Sequence, residues 1–364
     1  MGREDKLDLY SDYLLYSKGQ TTATGLSEVL AGELSHDKIS RFLSTESFDE
    51  KTLWKKTKKQ VRTFEDEKAC LIFDDTIIQK PYMDENAIIS WHYDSKEGRA
   101  VKGINLLSSF YTSEKTGIVF RAPIGFRVIE KTEEYIDKKS GEKKRRSPKT
   151  KNEMMQEMIN RQMQNQVKFR YILADSWYSS AENMRFIAKK KKIFIFELKD
   201  NRLITDSEKK RNAGVFERLE HTVLPEKKPV KVWIKDLEFA VYLFKQVFKN
   251  KDGTEGQRFL VSNDFTLTND QFETLYKKRW GVEEYHKSLK QNASIGSSPA
   301  HTERTQSNHI FSAIFAYVKL EKLKLSTRLN HFALKTKVYM ASLKAAMSTF
   351  QELCDSTEEY HAFA

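Results

Sequence analysis

Apolar and polar positions along the chain change several times between a strand-like and a helix-like pattern. An apolar run of strand length, ACLIFDDT, begins at Ala69 and ends in two acids and a threonine. Two further β-rich runs follow it, GINLLSSFYTS and GIVFRAPIGFRVIE. Short apolar runs rich in β-branched and aromatic residues are typical of strands. We therefore predict three sequential strands at the start of a sheet.

The next stretch alternates helical and strand patterns. Residues 151–166 have a helical pattern, and the run FRYILADS after them is typical of an apolar strand that ends in an acid. A second helix, SAENMRFIAKKKK, and a fifth strand, IFIFELK, complete the series. A strand, a helix and a strand in succession add parallel neighbours to a sheet. The predicted fold class is α/β, with a mixed sheet and flanking helices.

The remaining regions have other patterns. Residues 200–263 alternate polar and apolar positions around turn residues such as Asp252-Gly253, which predicts an antiparallel insertion. Short helices before residue 66 include a pair joined by a polar turn, which fits either a helix-turn-helix or a solvated helical face. The predicted domains are a helical N-terminal DNA-binding region (1–66), a catalytic domain in two parts (67–199 and 264–325), the β-rich insertion between them (200–263) and a C-terminal helical region (326–364).

Charge and composition narrow the class of partner. The 364 residues contain 63 Lys and Arg against 51 Asp and Glu, a net charge of +12 that recurs in several clusters. This excess fits a polyanion, although anionic membranes and general solubility also call for cations. No window reaches the ~18 apolar residues of a membrane span, and the amino terminus lacks a signal-peptide pattern. Two distant cysteines, Cys70 and Cys354, indicate a reducing cytoplasm without a disulfide framework or a structural zinc.

The segment LTNDQFETLYKKRWGVEEYHKSLKQN contains the most informative chemistry. It opens with the capping-box spacing of a helix start, and we predict one continuous helix. At 100° per residue, five side chains fall within roughly 80° of one another. They are Tyr276, Arg279, Glu283, Lys287 and Lys290. A salt-bridged solvated face is the ordinary explanation, but a central carboxylate among a phenol and three cations favours a phosphodiester site with a metal-binding Glu.

Two further carboxylates stand at the ends of predicted strands. Asp75 closes the first strand and Asp175 the fourth. Either residue alone is most simply a turn or cap residue. Together with Glu283, however, they supply the oxygen ligands that Mg²⁺ or Mn²⁺ prefers, on a rigid sheet edge where ligands commonly bind. The sequence therefore predicts Asp75, Asp175 and Glu283 as the catalytic and metal-binding residues.

The identity and spacing of these residues also resemble those of a known protein family. Tyr276-x2-Arg279-x3-Glu283-x6-Lys290 matches the Y-R-E-K signature of the insertion-sequence transposases of family four. DDT at 74–76 and ADSWY at 174–178 resemble the first and second catalytic segments of that family. The resemblance covers roughly residues 69–325. It implies a ribonuclease H-like catalytic domain of the DDE class, with a β-rich insertion between the second Asp and the Glu.

The resemblance also implies an activity. Such enzymes perform cut-and-paste excision and strand transfer with two Mg²⁺ ions, which Mn²⁺ may replace, and act as homodimers on the double-stranded DNA of transposon ends and target. A bacterial, DNA-associated protein is expected. By position Asp75 corresponds to the first ligand, because it directly precedes Thr76. Asp74 competes for this role, since adjacent strand residues point to opposite faces.

The DNA contacts follow from the same reasoning. Arg279, Lys287 and Lys290 are expected to hold phosphates near the cut, and Tyr276 to donate a hydrogen bond to one of them. Excision through a hairpin requires an unstacked base held against an aromatic surface. Trp233 is the candidate, because strand alternation in VKVWIKD places it between two lysines. Packing of Trp233 against the catalytic domain explains its position equally well.

The sequence leaves two rival functions open. One is a ribonuclease H-like nuclease or resolvase that shares the metal-binding carboxylates but stops at hydrolysis. The other is a domesticated, inactive DNA-binding derivative of a mobile element. The Y-R-E-K spacing argues against the first, and the presence of all three acids argues against the second.

Overall fold

A computed structural model describes residues 2–138, 141–226, 228–249 and 252–361, with side chains up to residue 355. The helices in this part of the chain are α1 (Arg3–Tyr16), α2 (Ala23–Val29), α3 (His36–Thr45), α4 (Glu50–Phe64), α5 (Lys151–Gln164), α6 (Ala181–Lys189), α7 (Glu208–Asn212), α8 (Asn269–Lys277), α9 (Trp280–Gln291), α10 (Glu303–Thr327) and α11 (His331–His361).

The strands are β1 (Cys70–Gln79), β2 (Ile89–Asp94), β3 (Arg99–Lys115), β4 (Ile118–Val128), β5 (Glu133–Ile136), β6 (Lys143–Arg146), β7 (Tyr171–Ala174), β8 (Ile193–Leu198), β9 (Leu203–Thr205), β10 (Glu217–Arg218), β11 (Val230–Ile234), β12 (Val241–Lys249) and β13 (Glu255–Ser262). None of the described helices is long and apolar enough to cross a membrane.

The chain divides into two compact units. The first combines Met1–Phe48 with Tyr285–Ala364, and the second is Asp49–Glu284. The boundary near the amino terminus therefore falls at residue 48, and not at the predicted residue 66. The reason is helix α4, which buries Leu53, Trp54 and Val61 and packs against β4 of the sheet.

The second unit is built on one large mixed sheet. Its strand order is β10-β9-β11-β12-β13-β8-β7-β1-β3-β2, with β4 also paired to β3. Strand β1 is antiparallel to β3 and parallel to β7, and β7 is parallel to β8. Both parallel connections pass through a helix, α5 or α6, as the alternating pattern predicts. The predicted α/β class with a mixed sheet is confirmed.

The β-rich insertion is antiparallel, as expected. Strands β12 and β13 pair along their length, and the turn between them contains Gly253 at φ +85° and Asp252, whose Oδ1 accepts from the Thr254 amide at 3.0 Å. Strand β13 also pairs with β8 of the catalytic sheet. The insertion therefore extends the main sheet by β-pairing. Strand β2 was not predicted, because its exposed aromatic positions, Trp91 and Tyr93, blur the apolar run.

The prediction of one continuous helix over 268–291 is wrong. Thr268 and Gln271 form the expected capping box, but helix α8 ends at Lys277 and α9 begins at Trp280. Between them the Arg279 amide donates to the Tyr276 carbonyl at 2.9 Å, and the Val282 amide donates to the Arg279 carbonyl at 3.1 Å. These three-residue steps tighten the backbone. Side chains before and after the junction therefore do not share one α-helical face.

The first unit is helical in the described residues. Helix α10 is buried along most of its length, and two of its polar side chains are held inside the unit. The Nδ1 atom of His309 lies 2.9 Å from the Tyr10 hydroxyl, and the Asn308 amide donates to the Leu43 carbonyl at 2.8 Å. Helix α3 begins after Ser35 and exposes its polar side chains, so a DNA-reading role for this helix stays a prediction.

Candidate active site

Two carboxylates of the second unit come from adjacent central strands of the sheet, β1 and β7. In the parallel pair β1–β7, Phe73 stands opposite Ala174. Asp74 and Asp175 are the next residues on their chains, so they follow the same rung of the ladder. Because side chains alternate along a strand, the neighbour that shares the face of Asp175 is Asp74, and Asp75 points to the other face.

Asp75 is held by a set of hydrogen-bond donors. The Lys151 ammonium lies 2.9 Å from one carboxylate oxygen and 3.0 Å from the other. The Tyr178 hydroxyl donates at 2.7 Å and the Asn105 amide at 2.9 Å. Burial alone would raise the pKa of Asp75, but the Lys151 charge and these hydrogen bonds outweigh it and lower that pKa. Asp75 is thus a stable, fully engaged carboxylate.

Asp175 is in the opposite situation. Burial, then the nearby charge of Asp74, then that of Asp75 raise its pKa to about 6. The Trp177 amide, at 3.0 Å from Oδ1, and the charge of Arg279 partly offset these effects. The contribution of Asp74 exceeds that of Asp75, which agrees with the strand register. Burial and the two neighbouring carboxylates therefore outweigh the positive groups around Asp175.

Glu283 is paired with a cation of the same segment. The Arg279 guanidinium donates to its carboxylate at 2.7 Å. Burial would lower the pKa of Arg279, but the neighbouring Tyr276, Glu283 and Asp74 groups together raise it. The side chain of Arg279 is 12% exposed and that of Glu283 is 41% exposed. Arg279 therefore lies between Glu283 and the pair of aspartates.

Tyr276 occupies a different place from the one predicted. Its side chain is buried, and its hydroxyl donates to the Glu197 carboxylate of β8 at 2.8 Å. The hydroxyl donates inside the protein here, and its predicted contact with a DNA phosphate stays a prediction. Its ring also lies 5.4 Å from the Arg279 guanidinium. The arrangement is that of a residue that positions Arg279 and anchors α8 to the sheet.

The other predicted DNA contacts are Lys287, Lys290 and Trp233. Helix α9 passes from the second unit to the first after Glu284, so Lys287 and Lys290 belong to the first unit, where both are exposed. Trp233 is half-buried on β11, where burial alternates as predicted, and the Lys231 ammonium is 5.2 Å from its ring centroid. No described contact tests the DNA roles of these three residues.

The donor chemistry of the site fits hard divalent cations. Among the described residues no three acidic, His or Cys side chains are already gathered around one point. The carboxylates of Asp74 and Asp175 nevertheless lie close enough to repel each other, which contributes to the raised pKa of Asp175, and hard divalent cations prefer such oxygen ligands. Glu283 is the third oxygen donor, and one of its carboxylate oxygens is paired with Arg279 at 2.7 Å. The residues fit the metal, with a rearrangement of that ion pair.

Sequence reasoning missed three residues that surround Asp75: Asn105, Lys151 and Tyr178. Lys151 is the first residue of α5, directly after the capping-box residue Thr150. Nothing in its local sequence distinguishes it from the many solvated lysines of the chain. Tyr178 lies within the ADSWY segment, and its full burial beside two acidic strand ends is a property of the folded sheet.

The comparisons with known proteins agree with this geometry. Residues 2–206 match the family of DDE superfamily endonucleases, and residues 147–319 match the transposase DDE domain. The two matches together include every acidic residue of the site. No curated protein matches the sequence. The sheet, with β1 between an antiparallel β3 and a parallel β7, is consistent with a ribonuclease H-like DDE fold.

Proposed function

Because the chain belongs to the DDE superfamily endonucleases, we propose that it is a DNA transposase that excises and reinserts an insertion sequence by cut-and-paste. The observation that supports this most is the placement of Asp74 on β1 and of Asp175 directly after the neighbouring parallel strand β7, with Glu283 on α9 within the Y-R-E-K segment. That spacing also supports membership of family four.

We assign the first metal ligand to Asp74 in place of Asp75. Both oxygens of Asp75 are occupied by Lys151, and one also accepts from Tyr178. Asp74 and Asp175 directly follow the same pair of the β1–β7 ladder. Asp74 also raises the pKa of Asp175 more than Asp75 does. A ligand must present an oxygen to the ion, and displacing the Lys151 ammonium from Asp75 would leave that partly buried cation without its partner. Asp75 instead fixes Lys151 beside the site.

Asp74, Asp175 and Glu283 would hold two divalent ions, Mg²⁺ or Mn²⁺. When bound, such ions stabilise charge on the attacked phosphate and lower the pKa of a coordinated water or DNA 3′-hydroxyl. The protein contributes the rigid sheet that places two of the carboxylates, and a buried environment that strengthens their attraction for a cation. Ion binding would also return the pKa of Asp175 toward its ordinary range, because it supplies the missing positive charge.

Arg279 would change partner when DNA and metal bind. Its guanidinium is held by the Tyr276 ring on one side and by Glu283 on the other. Once Glu283 turns to the metal, the same guanidinium is left to hold a DNA phosphate, for which its planar donors are well suited. The Arg279–Glu283 ion pair would therefore neutralise Glu283 until DNA and metal bind, and their binding would free both side chains together.

The rest of the DNA would be bound by positive and aromatic side chains outside this cluster. Lys287 and Lys290 follow Glu283 on α9 and would contact phosphates of the transposon end. Trp233 would stack on a base displaced during hairpin formation. A homodimer that brings two DNA ends together completes the proposal.

A strand-transfer assay tests this function. The full chain is incubated with labelled DNA that carries the element's own ends, with a supercoiled target plasmid and with Mg²⁺ or Mn²⁺. We expect excision of the ends followed by their joining to the plasmid. Cleavage without joining would indicate a hydrolytic nuclease instead, and binding without cleavage under either metal would indicate an inactive DNA-binding derivative.

A further inference from the structure

Trp177 is an exposed indole at the edge of the acidic site. Its side chain lies two residues after Asp175, and 55% of the residue is accessible to solvent. Its own amide donates to Asp175, and the next residue, Tyr178, is fully buried with its hydroxyl on Asp75. The backbone that carries the indole is therefore fixed on both sides. Packing does not explain why so large an apolar side chain faces solvent at this position.

Two ammonium groups lie close to this indole. The Lys151 nitrogen is 4.5 Å from the ring centroid, and the Lys199 nitrogen is 5.5 Å from it. Within the described ranges, Trp177 is the one tryptophan approached by two cations. Lys151 is tied to Asp75, whereas exposed Lys199 has no carboxylate partner among the residues that the structure describes. One cation is thus anchored, and the other can leave the ring for an anion.

An exposed aromatic ring with adjacent cations is the arrangement by which proteins bind unpaired nucleotides. Bases stack on the ring irrespective of sequence, while ammonium groups contact the phosphates on either side. A single-stranded or unstacked nucleotide is required, because in a duplex the base faces are already covered. Next to a site that cuts DNA, the natural source of such a nucleotide is the strand being cut.

On the basis of the proposed function, we infer that Trp177 stacks on the base next to the scissile phosphate, and that Lys199 contacts the phosphate beside this base. Trp177 and Lys199 together form a stacking platform. It differs from the predicted Trp233, because Trp177 lies two residues after the second carboxylate whereas Trp233 lies on β11 of the insertion. The Lys151 ammonium stays hydrogen-bonded to Asp75, so the cation on that side of the Trp177 ring keeps a fixed position.

The first test is photo-crosslinking of the uncut complex. DNA with the element's own ends carries 5-iodo-deoxyuridine at successive positions around the cut and is irradiated with the full chain in EDTA. Mass spectrometry of the digested complex identifies the crosslinked residue. We expect a crosslink to Trp177 at one position next to the cut and its loss in Trp177→Ala. A crosslink confined to Trp233 or to other residues overturns the inference.

The second test separates stacking from a structural role. Trp177→Ala should cut intact DNA about 5- to 150-fold more slowly than wild type, the loss expected for one base–aromatic stack. Trp177→Phe should retain most of the rate. On DNA that lacks the base at the crosslinked position, wild type and Trp177→Ala should cut equally fast, because there is no base to stack.

The control is Trp91→Ala, which removes a similarly exposed tryptophan on β2. It should cut intact DNA at the wild-type rate. If Trp177→Ala is equally slow on intact and abasic DNA, or as fast as wild type on intact DNA, the stacking role is wrong. If wild type itself neither binds nor cuts the ends, the proposed function fails first, and the inference fails with it.

Discussion

Asp74 and Asp75 are adjacent in sequence and have opposite surroundings. Asp75 accepts hydrogen bonds from Lys151, Tyr178 and Asn105, so its charge is compensated and its pKa is lowered. Asp74 adds to the negative charge around Asp175 and raises the pKa of that residue. One carboxylate stabilises the fold, and its neighbour creates a local excess of charge that a cation would relieve. The two residues should therefore respond differently to the same substitution.

Asp75→Ala should lower the free energy of unfolding by about 2–3 kcal/mol, somewhat below the loss found for fully buried ion pairs. The reason is that Lys151 would keep its partly buried ammonium without a partner. Asp74→Ala is the matched control, and it should lower stability less, because it removes the repulsion with Asp175 together with the attraction to Arg279. Urea unfolding of the metal-free proteins measures both changes. Equal destabilisation by the two substitutions would contradict the assignment.

The sequence predicts which residue types the site contains, but not which of the neighbours Asp74 and Asp75 is the first metal ligand. The positions of Asp175 and Glu283 follow from the end of an apolar strand and from the Y-R-E-K spacing. The choice between Asp74 and Asp75 depends on the register of β1 against β7, which pairs Phe73 with Ala174. That register is set by contacts about a hundred residues apart in sequence, which no local pattern contains.

Among the elements, the junction between α8 and α9 has the largest effect on the site. A continuous helix would place Tyr276 beside Glu283 on an outer face. The tight steps at Arg279 and Val282 instead let Tyr276 point inward to Glu197 while Arg279 turns to Glu283. The capping box at Thr268 could be read from sequence. The break at residues 278–279 could not, because Lys, Arg and Trp are all acceptable inside a helix.

Tyr276→Phe tests the inward placement of Tyr276. Removing its hydroxyl leaves the Glu197 carboxylate without this donor and should cost about 1–3 kcal/mol of stability. The slope of DNA affinity against salt concentration should stay at the wild-type value, because no phosphate contact is lost. Denaturant unfolding and fluorescence anisotropy provide the two measurements. A smaller salt slope with unchanged stability would instead support a direct phosphate contact.

The contact between α10 and α11 in the first unit gives a pH-dependent prediction. Burial would raise the pKa of Glu321, but the hydrogen bond with His331 and the Lys324 charge outweigh it and lower that pKa. A carboxylate with a lowered pKa stabilises the fold above its ordinary pKa, near 4.5, and loses this contribution as the pH falls through the folded-state value.

Glu321→Gln should therefore be less stable than wild type at pH 7 by about 1–3 kcal/mol, the usual range for hydrogen bonds to a charged group. The difference should shrink as the pH falls below about 4.5, where wild type becomes protonated as well. Urea unfolding between pH 7 and pH 3 follows the change. A difference that stays constant over this range would show that the Glu321 charge does not contribute to stability.

For the whole molecule, the net charge of +12 and the two compact units matter most. The α/β class and the mixed sheet follow from the order of apolar runs, because each run is long enough to identify its element. The grouping of residues 1–48 with 285–364 could not be predicted, since it depends on long-range packing such as Tyr10 against His309. Charge predicts a polyanionic partner but not where it binds.

Affinity for DNA should fall steeply with salt. If six to ten phosphates are contacted, binding should weaken by about 10³- to 10⁵-fold between about 50 and 200 mM salt. Lys287→Ala and Lys290→Ala should each reduce the slope by about one unit, because each removes one phosphate contact. Anisotropy titrations measure the slopes. Unchanged slopes in both variants would place the phosphate contacts elsewhere.

Asp74, Asp175 and Glu283 are the carboxylates that we propose for metal-dependent catalysis. The most direct measurement compares cleavage of labelled DNA ends by wild type, Asp74→Ala, Asp175→Ala and Glu283→Ala in Mg²⁺ and Mn²⁺, with DNA binding measured in parallel. We expect wild type to cut and all three variants to bind the ends without cutting. Normal cleavage by Asp74→Ala, together with an inactive but folded Asp75→Asn, would contradict the account and return the first ligand to Asp75.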